Sequence, residues 1–190
     1  MDYAIILGGG KSARMGTDKL ALEIDGQNLL SRAVEAASSA AGRVIVAGPE
    51  RSDVEAEFVQ EQPPFGGPVA GIAAVIRRLP EEDAEILLLA GDLAEPAAAV
   101  EALRGIPLET DAVVLTGTDG WPHWLTGKYR LSALRRALAA VRDVDGAALH
   151  RVFRTLEIDA VPLDEETVDD VDTVEQSRAL GIQGLPESLA

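Results

Sequence analysis

The chain has 190 residues, 47% hydrophobic and 26% charged, which suits one globular domain and excludes disordered or collagen-like chains. Seventeen Lys and Arg against 32 Asp and Glu give a net charge of −15, which repels phosphate backbones and anionic bilayers and speaks against nucleic acid or membrane as partners. With no cysteine and two histidines, disulfides, thiol nucleophiles, zinc–thiolate sites and multi-histidine metal sites are excluded.

In chain order, the N-terminus Met1-Asp2-Tyr3-Ala4-Ile5 carries no secretory signal pattern, and no apolar run approaches the ~20 residues of a spanning helix. The expectation is a cytoplasmic protein. Short runs rich in Ile, Val and Leu fall at 3–7, 43–47, 85–90 and 112–116. Runs of that length read as strands buried on both faces. Between them lie Ala-rich amphipathic stretches at 28–40, 68–79, 97–104 and 131–142, read as helices. The segment 121–129 mixes aromatic and polar residues and reads as an edge or antiparallel strand; 157–163 reads as a last short strand. The alternation predicts an α/β fold in three layers, doubly wound around a mostly parallel sheet with a short antiparallel element. It spans 1–180 as one domain, with a C-terminal tail at 181–190. Such sheets place ligands at the C-terminal ends of their strands, so the loops after Leu7, Ala47, Ala90 and Thr116 are the places to search.

The first of these loops runs from Gly8 to Lys19, with glycines at 8, 9, 10 and 16 and bases at Lys11, Arg14 and Lys19. Glycines let backbone N–H groups approach a ligand, and the bases add charge that suits a polyphosphate. It is not a Walker A loop: the first glycine of that motif would fall at Ile5, inside the strand. Gly8, Gly10 and Ala13 fit a dinucleotide fingerprint formally, but Gly16, Thr17 and Asp18 interrupt the helix that the fingerprint should open.

Leu7-Gly8-Gly9-Gly10-Lys11-Ser12-Ala13-Arg14-Met15-Gly16-Thr17-Asp18-Lys19 resembles the L-A-G-G-x-S-x-R-M-G-x-D-K signature of the nucleotidyltransferases similar to molybdenum cofactor guanylyltransferase. It departs at Gly8, where that family usually has Ala. The resemblance continues. Residues 66–72 (GGPVAGI) are similar to the family's G-P-L-x-G-I. Gly91-Asp92 is similar to its metal-binding (C/G)-D-x-P, with the proline displaced to Pro96. Residues 119–130 are similar to its D-G-x-x-x-P/W-L-x-G-x-[YW] segment. Residues 168–175 are similar to N-x-N-T-P-E-D, with Asp170 and Asp172 in place of Asn.

The resemblance implies a Rossmann-like nucleotidyltransferase fold and transfer of GMP from GTP to molybdopterin. It implies nucleotide binding by Leu7, Gly8, Gly9, Gly10, Ser12, Arg14, Lys19, Glu61, Gly67, Pro68 and Asp92. Arg14, Lys19 and Asp92 take the catalytic roles, and Mg²⁺ sits on Asp92 with Asp172 or Asp170. It also implies transient contacts with proteins that make or accept the molybdenum cofactor. Trp121, His123 and Trp124 either stack on a flat acceptor or pack the strand, and His150 is a surface or packing residue. The residues alone reach only a nucleotidyltransferase acting on a phosphorylated small molecule. The alternatives are a cytidylyltransferase of the same cofactor, another small-molecule nucleotidyltransferase, and a non-catalytic nucleotide-binding protein of the same fold.

Overall fold

In the computed structural model, the described residues are 1–9, 18–80, 83–117 and 120–163. The chain forms β1 (Tyr3–Leu7), a 3-10 turn (Lys19–Ala21), β2 (Glu23–Ile24), β3 (Gln27–Asn28), α1 (Leu29–Ser38), β4 (Arg43–Ala47) and β5 (Glu57–Val59). It continues through α2 (Pro68–Ile76), β6 (Glu85–Ala90), α3 (Pro96–Arg104), β7 (Ala112–Thr116), β8 (Pro122–Arg130), α4 (Leu131–Ala139), α5 (Leu149–Phe153) and β9 (Ile158–Pro162). The expected strands at 3–7, 43–47, 85–90 and 112–116 are β1, β4, β6 and β7, and 157–163 contains β9.

Seven strands form one sheet in the order β5-β4-β1-β6-β8-β7-β9. All neighbours pair in parallel except β8, which runs antiparallel to both β6 and β7. The antiparallel reading of 121–129 therefore holds. The edge reading does not, because β8 lies inside the sheet. β2 and β3 form a separate antiparallel pair.

Alternation along the strands builds two cores, because successive side chains leave opposite faces. Ile5, Ile45, Ile86, Leu88 and Val114 pack with α2, α4 and α5. Ala4, Ile6, Val46, Leu87, Leu89 and Val113 pack with α1 and α3. Helices thus cover both faces, which is the three-layer, doubly wound α/β arrangement. Among the described residues no helix is long and apolar enough to cross a membrane.

Local signals set the helix starts. Asn28 caps α1, its side chain accepting from Ser31 N at 2.7 Å. Pro68 and Pro96 open α2 and α3, where the missing N–H costs nothing. The β2–β3 turn is Asp25-Gly26, both at positive φ (54° and 79°), the dipeptide favoured in a two-residue hairpin.

Candidate active site

The pairings Leu7↔Ala47 and Leu7↔Ala90 bring the C-terminal ends of β4, β1 and β6 to one level. The chain leaves β1 toward β4 and β5 on one side and returns through α2 to β6 on the other. Strand order therefore reverses between β1 and β6, the place where open α/β sheets leave a crevice for ligands.

The rim of this crevice is tightly closed backbone. Gly8 N donates to Ala47 O at 3.0 Å, and Gly91 N donates to Leu7 O at 3.1 Å. A Cβ on Gly48 would stand 2.6 Å from the Gly8 carbonyl, and one on Gly91 2.6 Å from Leu7 O. Backbone on both sides cannot yield, so neither position accepts a side chain.

Behind the rim, a cavity of about 200 Å³ opens between β1, β4 and the start of α2. Its walls bring together five of the residues expected to bind nucleotide: Leu7, Gly9, Glu61, Gly67 and Pro68. Ala47, Phe65 and Gly71 complete it, and none of the three was named as a site residue from the sequence; Phe65 is 58% exposed, with φ of 69°. Glu61 holds the turn into α2, its Oε1 accepting from Gly66 N at 3.1 Å. Gly8 does not line the cavity.

On the β6 side of the rim, Lys19 Nζ lies 2.6 Å from Asp92 Oδ2, with the two side chains 12% and 24% exposed. Lys19 begins the 3-10 turn, and Asp92 stands just beyond the tip of β6. Asp92 does not cap α3, whose N-cap is Glu95. The structure thus joins a cation and a carboxylate that the sequence separates by 73 residues. Gly10, Ser12, Arg14, Asp170 and Asp172 lie outside the described residues.

Among the described residues no cluster of three His, Cys, Asp or Glu stands ready for a metal. The donor chemistry still suits Mg²⁺, which is commonly held by one or two carboxylates while substrate phosphates complete the shell. Asp92 supplies one such carboxylate.

Of the three rings near the start of β8, Trp124 is a packing residue. It stacks on Phe153 with centroids 5.6 Å apart and an interplanar angle of 4°. Trp121 is 72% exposed, and His123 is half-buried between them in sequence. His150 is exposed on α5.

Residues 4–161 match the family model of the MobA-like NTP transferase domain. The chain belongs to this family. It is accordingly a nucleotidyltransferase of the MobA type. A probable molybdenum cofactor guanylyltransferase of Synechococcus elongatus is 35% identical over 140 residues, covering 67% of this chain and 71% of that protein. Among solved structures, molybdopterin-guanine dinucleotide biosynthesis protein A of Archaeoglobus fulgidus is similar with a TM-score of 0.67 at 22% identity, over 95% of this chain and 96% of that one. A Mycobacterium tuberculosis protein solved in complex with manganese has a TM-score of 0.64 at 17% identity, over 94% and 96%. At these identities the two structures establish a shared fold.

Proposed function

We propose that this MobA-like transferase moves GMP from GTP to molybdopterin and releases pyrophosphate. The observation that carries the reading is the Lys19–Asp92 pair at the β1–β6 crevice, beside a cavity sized for one ring system. The curated guanylyltransferase relatives support the choice of substrates.

In this reading the nucleobase enters the cavity of Leu7, Gly9, Glu61, Gly67 and Pro68. Glu61 has one carboxylate oxygen on Gly66 N. Its other oxygen can accept from the N1–H and 2-amino group of guanine, the donors that distinguish guanine from adenine. The triphosphate lies along the glycine-rich loop, with Gly8, Gly10 and Ser12 beside it. Arg14 and Lys19 neutralise its charge. Asp92, with Asp172 or Asp170, would hold Mg²⁺. The ion, once bound, supplies charge neutralisation around the α-phosphate.

A terminal phosphate oxygen of molybdopterin attacks the α-phosphorus. A new P–O bond forms, the bond from the α-phosphorus to the bridging oxygen breaks, and pyrophosphate leaves. The nucleophile is already ionised, so the protein needs no general base. Its task is in-line placement and stabilisation of charge. Residues 1–180 act as one domain. The reaction belongs in the cytoplasm, where GTP is available, with transient contacts to proteins that make or accept the cofactor.

The test is pyrophosphate release with molybdopterin and each nucleoside triphosphate, with Mg²⁺ and with EDTA. Release with GTP alone, abolished by EDTA, is expected. Preference for CTP would make the chain a cytidylyltransferase. Binding of GTP without release would make it a non-catalytic nucleotide-binding protein.

A further inference from the structure

Lys19 sits on a turn of three residues, and 3-10 turns have poor hydrogen-bond geometry and little stability of their own. Something outside the turn must hold it. Asp18 supplies the link. Its Oδ1 accepts from Leu20 N at 3.2 Å, and its Oδ2 accepts from Arg51 Nη1 at 2.7 Å. Arg51 lies in the loop after β4. Its Nε and Nη2 reach Asp53 Oδ1 and Oδ2 at 3.4 and 3.5 Å. Asp53 Oδ2 also accepts from Asn28 Nδ2 at 3.3 Å, and Asn28 is the cap of α1.

One guanidinium therefore ties the residue before Lys19 to the β4–β5 loop and, through Asp53, to the start of α1. Its side chain is only 15% exposed. Burial alone would lower the Arg51 pKa, but the hydrogen bonds it donates to Asp18 and Asp53, together with their charges, outweigh it and raise the pKa. Arg51 does not line the cavity, and it forms ion pairs with Asp18 and Asp53.

We propose that Arg51 is the positioning residue for Lys19: by gripping Asp18 it fixes the 3-10 turn and aims the Lys19 ammonium at Asp92. Only the catalytic consequence rests on the proposed role of Lys19; the positioning itself is a property of the fold. A rigid planar fork held by two carboxylates suits the task, because it fixes both distance and direction, which a lysine at the same place could not. Misplacement of a catalytic group by about 1 Å can cost roughly a hundredfold in rate.

The chain's lysines are Lys11, Lys19 and Lys128, which makes amine labelling a direct readout. The full chain is acetylated under limiting reagent and each lysine followed by mass spectrometry, in the wild type and in Arg51→Gln. Labelling of Lys19 is expected to rise several-fold while buried Lys128 stays protected. Unchanged labelling of Lys19 overturns the proposal. If Lys128 also becomes reactive, the variant has lost its fold. Asp53→Asn, which weakens the far side of the grip, is then labelled in its place: a rise at Lys19 alone supports the proposal, and no rise overturns it.

A double-mutant cycle on kcat/KM separates positioning from general loosening. Arg51→Gln alone is expected to cost roughly tenfold to a hundredfold, and to cost nothing further once Lys19→Ala is present. Equal losses in both backgrounds overturn action through Lys19. If the wild type turns over no nucleotide, the proposed function falls, and the labelling still decides the role of Arg51.

Discussion

Gly8 departs from the alanine usual in the related motif, and the space around it gives the reason. A Cβ built there would stand 2.3 Å from Val46 Cγ1, deep in the core shared with α1 and α3. Val46 is β-branched and fully buried, so it has little freedom to turn away. Gly8→Ala is therefore expected to destabilise the protein by about 1–3 kcal/mol, the usual cost of overpacking. Val46→Ala in the same chain should recover most of that loss, as read from thermal or denaturant unfolding; failure of the rescue would assign the cost to backbone strain instead. At Lys19 the effect should fall on catalysis. Lys19→Ala is expected to lower turnover by about 10²–10³, the range for removing one preorganised charge-stabilising donor. A loss below about tenfold in steady-state pyrophosphate release would remove Lys19 from its assigned role. The motif spacing named Lys19 and Asp92 separately. Their contact was not legible, because it arises from the β1–β6 pairing and the placement of the 3-10 turn. Arg51 carried no signal of its own: Asp53 is two residues away in the same loop, but Asp18, 33 residues earlier, meets it only after β4 has joined β1.

At the scale of elements, β8 shows why pattern alone misleads. Its mixture of polar and aromatic residues reads as half-exposed, yet Thr126 and Lys128 are buried inside the sheet. The Lys128 ammonium is accommodated because its Nζ donates to Ile106 O, and Arg130 donates to Thr110 O and Leu108 O. Two side chains of one strand thus satisfy the carbonyls of the loop before β7, an arrangement that local composition cannot announce. The β2–β3 hairpin, by contrast, turns on a signal local to its own dipeptide, Asp25-Gly26. Other joints between elements depend on ionised carboxylates. Asp83 accepts from Ser132 N at the start of α4, and from Ala84 N; chiefly the Ser132 bond holds its pKa below the ordinary value. Asp111 accepts from Arg136 and from Glu157 N, and Arg136 is the main cause of its lowered pKa. A carboxyl depressed in the folded state stabilises above its unfolded value, near pH 4, and that contribution disappears as pH falls through the folded value. The melting temperature should therefore drop on acidification below about pH 4, and the Asp83→Asn, Asp111→Asn double variant should show a flatter acid limb. An unaltered limb would locate the acid sensitivity elsewhere.

At the scale of the whole molecule, the regular alternation of apolar runs and Ala-rich stretches made the layered fold legible before any contact was known. What it could not convey is the order of insertion. β8 is later in the chain than β7, yet it lies between β7 and β6 and pairs with both. During synthesis, β6 and β7 therefore emerge with facing edges that have nothing to pair with until residues 122–130 arrive. Unpaired, apolar strand edges are templates for self-association. A chain ending at Gly120 should sediment as aggregates, whereas one that continues through Leu163 contains all seven strands described for the sheet. The ribosome thus releases this protein's last central strand late, and a translational pause just before Trp121 would lengthen the window in which nascent chains stick to one another.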